Sequence, residues 1–267
     1  MNYTLQYASN FFLNLHRQRD FQKMLIPSSE NLALLGNICS LDTNDSRVLY
    51  KKFLTHTSSK WKNVYIVPGP WEMASHIAPR KYQTNIDSLY GLTKDFRNVH
   101  LLNNSYLTIP DVNINLIGTT LWVDKPHMKY PCMFEYSYIW QQHFNGFISA
   151  MENNIKFWHK KDISYLVNTL NPDMRYIVLS HHLPSPLFIE NEEQKLMESS
   201  NLDGFMKKPV EIWLSGAGDR HVTGTLGDDD VFCGTNPYTV FSTAKCSILS
   251  SYNTQAYVSL KTSPNVV

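Results

Sequence analysis

The residues that could do chemistry lie in five short turns, each directly after an apolar segment of strand length. In open α/β sheets, ligands and catalytic groups collect at the carboxyl ends of strands, so these turns are the first place to look for a site. The turns read Ser9-Asn10-Phe11-Phe12, Gly36-Asn37-Ile38, Pro68-Gly69-Pro70-Trp71-Glu72, Ser180-His181-His182-Leu183-Pro184-Ser185 and Ser215-Gly216-Ala217-Gly218-Asp219-Arg220-His221.

The order and surroundings of these turns resemble the calcineurin-like metallophosphoesterase family. In that family the turns read Asp-x-His, Gly-Asp, Gly-Asn-His-Asp/Glu, His and Gly-His-x-His, and they build a two-metal site that activates water to attack a phosphate ester. The resemblance spans roughly residues 4 to 250 and matches closely over Ile177–Ser185. It implies an α/β fold (α+β mixed) with two packed mixed β-sheets flanked by helices, a four-layer αββα sandwich.

At the first two turns, neutral side chains stand where the family carries metal ligands. Asn10 takes the place of an aspartate, Phe12 that of a histidine, and Asn37 that of the aspartate that bridges both metals. A neutral amide offers one weak carbonyl donor and no charge to offset two divalent ions. The resemblance therefore predicts that the bridge is lost, with Asn10 and Asn37 hydrogen-bonded to each other or to the backbone.

The third turn departs furthest from the family pattern. Pro70 replaces an asparagine ligand, and Trp71 replaces the histidine that would protonate the leaving group. Proline has no side-chain donor, and the indole nitrogen of tryptophan donates a hydrogen bond but has no usable basicity. Glu72 is kept, but without that histidine we expect it to have nothing to orient.

The last two turns retain the residual metal-ligand candidates. His181 is unchanged, and we interpret His182 as structural. The fifth turn aligns in two ways, since either Gly216 or Gly218 can be the first glycine of Gly-His-x-His. The second alignment leaves His181, Asp219 and His221 as candidate ligands for one ion. Arg220 argues against that site, because a cation beside a metal ion is unfavourable unless it faces solvent.

Short apolar runs, too short for helices, predict the strands that position these turns. Thr43 to Ser46 predict the start of a helix that carries Val48, Leu49, Lys52, Phe53 and His56 on one face, and an apolar stripe from Phe144 to Trp158 predicts another. The predicted strands in the first set are Thr4–Ala8, Asn31–Leu35, Asn63–Val67, Tyr176–Leu179 and Glu211–Leu214. A second set, expected to pair antiparallel, is Tyr106–Ile109, Asn113–Gly118, Thr223–Leu226, Val231–Cys233, Thr239–Ser242 and Ala256–Leu260.

Composition limits the class of protein. The chain of 267 residues is 43% hydrophobic, which is typical of a globular protein. Its formal net charge is +1, so the chain as a whole has no positive field that would attract nucleic acid or anionic membranes. Basic residues stand out only as the pairs Lys51-Lys52, Lys160-Lys161 and Lys207-Lys208, and nucleic acid is not indicated. No stretch is long and apolar enough for a membrane span. Dispersed cysteines and the lack of a targeting segment predict buried thiols in the cytoplasm.

The sequence favours one domain over residues 1–267, with a loose tail over 261–267, that is a catalytically inactive pseudoenzyme. We expect no catalytic residues, no cofactor, and a role as a scaffold for a protein partner. One alternative is a divergent phosphoesterase with one divalent metal ion (Mn, Fe or Zn) on His181, Asp219 and His221; another is a module that binds phosphate or nucleotide. The predicted contact surfaces are Tyr130–Tyr138 and the rim around Trp71 and Phe12.

Overall fold

Two mixed β-sheets and the helices that cover them make up the fold. The computed structural model describes residues 2–16, 20–124, 138–143, 146–150, 152–189, 195, 198–218, 221–236, 240–242, 247–249 and 257–261. In chain order the elements are β1 (Asn2–Ala8), α1 (Phe21–Met24), β2 (Asn31–Leu35), α2 (Asn44–Lys60), β3 (Asn63–Val67), α3 (Pro70–Met73), α4 (Tyr82–Thr93), β4 (Val99–Leu101), β5 (Ser105–Ile109), β6 (Ile114–Thr119), β7 (Trp140–His143), β8 (Gly146–Ser149), α5 (Glu152–Thr169), β9 (Tyr176–Ser180), β10 (Val210–Ser215), β11 (Val222–Leu226), β12 (Val231–Thr235), β13 (Val240–Ser242), β14 (Ser247–Leu249) and β15 (Tyr257–Lys261).

Each large sheet has a parallel centre and an antiparallel strand at one or both edges. The first sheet has the order β15-β1-β2-β3-β4, and only β15 runs antiparallel to its neighbour. The second has the order β11-β12-β10-β9-β6-β5, with β11 and β5 antiparallel at its edges. The antiparallel pairing predicted for the second set is thus confirmed for β5–β6 and β11–β12, whereas β6 and β12 also pair in parallel with β9 and β10.

Three apolar clusters hold the layers together. Between the sheets, Leu35 of β2 packs with Leu179 and Leu214 of the second sheet. On the outer face of the first sheet, Leu34 packs in one cluster with Phe53 of α2. Trp213 and Leu166 of α5 share a cluster on the outer face of the second sheet. Central strands buried on both faces account for the near-continuous apolar runs of the sequence, and the predicted fold class of two mixed sheets flanked by helices is confirmed.

One helix prediction is confirmed at its start, and a second needs correction. α2 begins after Thr43, whose hydroxyl accepts the Ser46 N–H, as predicted. Its buried face holds Ser46, Tyr50, Phe53, Leu54 and Thr57, while Val48 is 46% exposed. The stripe from Phe144 to Trp158 is only partly helical, because residues 146–149 form β8 and pair with β7 before α5 begins at Glu152. Phe144 and Met151 lie outside the described residues.

Three further predictions are only partly covered by the structure. Cys39 and Cys233 are buried thiols that form no disulfide with a described residue, while Cys132 and Cys246 lie outside that part of the chain. No described helix is long and apolar enough to cross a membrane. β15 extends to Lys261, and residues 262–267 lie outside the described ranges, as does all of Tyr130–Tyr138 except Tyr138.

Candidate functional site

The predicted turns converge where β1, β2, β3, β9 and β10 end. Asn10 donates its backbone N–H to Gly36 O at 3.0 Å and its Nδ2–H to Gly216 O at 3.1 Å. His181 Nδ1 lies 2.8 Å from Leu35 O, so the turn after β9 is bonded to the end of β2. We call residues 9–12, 36–38, 69–72, 181 and 216–218 the strand-end site.

The two asparagines of the site bond to the backbone, which confirms one of the two arrangements predicted for them. Asn37 Oδ1 accepts the Trp71 N–H at 2.9 Å, and Asn10 bonds to Gly216. Both asparagines have left-handed backbones, with φ of 57° and 55°, which asparagine adopts more readily than most residues. Asn10 Oδ1 is buried and accepts no hydrogen bond from the described residues, so one neutral acceptor in the site is unsatisfied.

Aromatic rings pack where the family carries its histidines. Phe12 and Trp71 pack in a T-shaped arrangement with ring centroids 5.2 Å apart, and the Phe12 side chain is buried. His76 continues the row, 4.6 Å from Trp71 and 4.3 Å from Tyr138. The Trp71 indole donates to Asn14 Oδ1 at 2.9 Å. Sequence reasoning missed His76 and Asn14, because neither belongs to one of the five turns.

Glu72 contradicts its prediction, since it organises two of the turns. Its Oε2 accepts N–H bonds from Gly69 and Asn37, both at 2.9 Å, and its Oε1 accepts those of Ile38 at 2.6 Å and Cys39 at 3.3 Å. The side chain is completely buried. Glu72 therefore orients backbone rather than a histidine, and it joins the turn after β2 to the turn after β3.

Burial and hydrogen bonding act on the Glu72 carboxyl in opposite directions. Burial disfavours the charged form and raises its pKa, while the backbone N–H groups of Gly69, Ile38, Asn37 and Cys39 lower it. Burial is the larger effect, and the pKa rises from 4.5 to about 7. We call the Glu72 carboxyl and its four N–H donors the clamp between the two turns. Near neutral pH this carboxyl is a mixture of the acid and the carboxylate.

This shift predicts a specific pH dependence of stability. A folded-state pKa above the unfolded value gives stability that is complete below pH 4.5 and is lost as the pH rises through about 7. Between pH 4.5 and pH 8, the free energy of unfolding of wild type should therefore fall by about 3 kcal/mol relative to that of Glu72→Gln, whose side chain cannot titrate. Urea unfolding of both proteins across this range tests it, and a constant difference between them would contradict the raised pKa.

The histidines of the last two turns lie on different segments: His181 and His182 follow β9, and His221 precedes β11. His181 and His182 are both buried, and burial lowers the pKa of His181 to about 4, so its ring is neutral near pH 7. His182 Nδ1 lies 3.1 Å from Thr120 O, in a structural contact. Directly after β10 come Gly216 and Ala217, whereas His221 precedes β11, with its Nδ1 2.9 Å from Thr235 O. Asp219 lies outside the described residues.

The described lining of the site does not suit two divalent cations. Phe12 and Pro70 offer no donor, Asn37 Oδ1 is already bonded to a backbone N–H, and Glu72 is bonded to four. Two adjacent dications need several charged ligands to offset them. Among the described residues, no three His, Cys, Asp or Glu side chains converge in a way that could hold a metal ion.

Solved structures share this architecture. A phosphopantetheinyl hydrolase (PptH) from Mycobacterium tuberculosis superposes with a TM-score of 0.64 over 88% of this chain and 88% of that chain, at 13% identity. The fold is phosphoesterase-like. A second solved structure gives a TM-score of 0.54 over 88% and 90% of the two chains, at 14% identity. No protein-family model and no curated protein matches the sequence.

Proposed function

We propose that this phosphoesterase-like chain has no two-metal chemistry and serves as a cytoplasmic scaffold for a protein partner. One observation supports this most directly: the Asn37 amide, at the position of the family's bridging carboxylate, accepts the Trp71 backbone N–H. The neighbouring positions hold the Phe12–Trp71 ring pair. Contacts within the fold occupy the side-chain acceptors of Asn37 and Glu72, while Asn10 Oδ1 stays unsatisfied among the described residues, and these contacts support a structural role for the strand-end site.

Metal analysis with an activity assay tests this proposal. Protein purified without chelators should contain Mn, Fe, Zn and Ca well below one equivalent per chain. Hydrolysis of bis(p-nitrophenyl) phosphate with added Mn should not exceed the rate in buffer. Stoichiometric metal together with turnover would contradict the proposal.

A divergent phosphoesterase is the second candidate, and the two histidine contacts favour it. His181 and His221 each place Nδ1 against a backbone carbonyl, an arrangement that often fixes the ring of a metal-binding histidine and leaves Nε2 for the metal. The ion would require Asp219 as a third ligand. The similar structure is that of a phosphopantetheinyl hydrolase, so a phosphopantetheinyl ester is the substrate to try beside the generic diester.

One variant pair separates the two candidates. If the chain is a phosphoesterase with one metal ion, His181→Ala should abolish both metal binding and turnover. His100→Ala, on β4 beside Tyr65, should leave both unchanged. If the chain is a scaffold, wild type and both variants should hydrolyse the diester no faster than buffer alone. Isothermal titration with phosphate and nucleotides tests the remaining alternative, a ligand-binding module.

A further inference from the structure

Six cationic side chains from two separated stretches of sequence lie on one surface, formed by the second half of α2 and the segment after α4. Lys51, Lys52 and Lys60 lie on α2, Lys62 follows α2, and Lys94 and Arg97 follow α4. All six are exposed. We call these six residues the basic end.

Contacts between the two stretches show that the basic end is continuous. Lys51 Nζ lies 2.6 Å from Asp95 Oδ2, which joins the middle of α2 to the segment after α4. Asn98 donates its Nδ2–H to Ser58 O at 2.9 Å and to Trp61 O at 3.0 Å. These bonds place Arg97, next to Asn98 in the chain, beside the end of α2, close to Lys60 and Lys62.

Positive charge dominates this surface. The nearby acidic residues include Asp95, paired with Lys51, and Glu30, whose carbonyl accepts the Lys62 N–H. They also include Asp20, which is paired with Lys23 and lies near His56 of α2. Within the described part of the chain, the other five cations have no ion-pair partner. The whole chain has a net charge of only +1, so the basic end is a local concentration of charge that the composition conceals.

The basic end is remote from the strand-end site. α2 starts at Asn44, shortly after the turn that Glu72 binds, and ends at Lys60, just before the amino end of β3. At 1.5 Å per residue, Lys60 lies about 24 Å along the helix from Asn44, and Lys51 and Lys52 lie about 10–12 Å from it. An activity at the basic end is therefore independent of the function proposed above.

We propose that the basic end binds single-stranded nucleic acid through its phosphate backbone. Five of the six cations are lysines, which act as point charges and suit a flexible polyanion better than a precise bidentate partner. Tyr90, one helical turn before Lys94 on α4, is 45% exposed and offers an aromatic surface on which an unpaired base can stack. An anionic membrane fits less well, since peripheral helices bury an extended apolar face, and here the exposed large apolar side chain on α2 is Val48 alone.

Fluorescence anisotropy with a labelled 20-nucleotide single-stranded RNA tests the proposal on the full chain. Binding should weaken steeply with salt, because lysine–phosphate contacts release condensed counterions. Lys52→Glu/Lys62→Glu/Arg97→Glu should reduce the slope of log K against log salt by about 2 and lower the affinity at least about tenfold at low salt. Tyr90→Ala should weaken binding several-fold without changing that slope.

The matched control is Lys160→Glu/Lys207→Glu/Lys208→Glu, which makes the same change in net charge at exposed positions on the other sheet's side. It should keep most of the wild-type affinity. An equal loss in both triple variants would overturn the proposal, because net charge alone would then explain binding. Tighter binding of duplex DNA, or binding only to phosphatidylserine vesicles, would overturn it as well. So would absence of RNA binding in wild type, which would leave Lys60 and Lys94 as stabilising cations at helix C-termini.

Discussion

Replacing Glu72 by leucine is expected to lower the free energy of unfolding by more than about 4 kcal/mol. The carboxyl accepts four backbone N–H groups in a completely buried position. Leucine is close to glutamate in size but accepts none of these bonds, so four buried donors lose their partner at about 1–3 kcal/mol each. Both the acid and the carboxylate can accept, so this loss is expected on either side of the pKa.

Urea unfolding followed by circular dichroism measures the effect, with Glu30→Leu as the matched control. Glu30 is exposed, and its hydrogen bonds to described residues involve its backbone N–H and carbonyl. The control should therefore unfold at the wild-type urea concentration. If Glu72→Leu did the same, the clamp between the two turns would be irrelevant to the fold.

The role of Glu72 illustrates what the sequence could not predict. The donors to its carboxyl include Asn37 and Ile38, 35 and 34 residues earlier in the chain, and no local pattern pairs them with a glutamate after β3. The turn itself was predictable, because a run of strand-forming residues ends at Val67 before Gly69 and Pro70. The sequence thus located the turn, while the partners of its side chain depended on how two parallel strands end side by side.

The strands were more predictable than the faces of the helices. Asn31–Leu35 and Asn63–Val67 match the observed bounds of β2 and β3, because compact apolar runs between polar turns leave little choice. On α2, two overlapping sets of residues have helical spacing, and packing against the sheet selected the one with Tyr50 and Thr57. Residues 146–149 became a strand because pairing with β7 outweighed a helical pattern.

The basic end could not be predicted from the sequence, because contacts between distant parts of the chain form it. Lys51-Lys52 is visible as a pair in the sequence, but Lys94 and Arg97 join it only because Asp95 and Asn98 contact α2. A near-zero net charge argues against nucleic acid only if charge is evenly spread. For the strand-end site the reverse holds: the neutral side chains of Asn10 and Asn37 were visible in the sequence, and only the hydrogen-bond partners of these amides required the structure.

Gly216→Ala is the second substitution with a large expected effect, because the end of β10 packs directly against the end of β2 at this residue. A Cβ at position 216 would lie 1.8 Å from Leu35 O and 2.8 Å from Leu35 C, both backbone atoms at the end of β2. Its carbonyl also accepts the Ser9 Oγ–H at 2.6 Å and the Asn10 Nδ2–H. Relief of the clash must separate the strand ends and strain these bonds.

We expect Gly216→Ala to lower the free energy of unfolding by more than about 3 kcal/mol, the upper range for overpacked interiors. Gly91→Ala is the matched control, since no atom lies within 4 Å of its added Cβ and the residue is inside α4. Alanine is favoured over glycine there, so the control should gain about 0.5–1 kcal/mol. Unfolding curves that shift in opposite directions would support the close approach of the sheets. Equal midpoints would refute it.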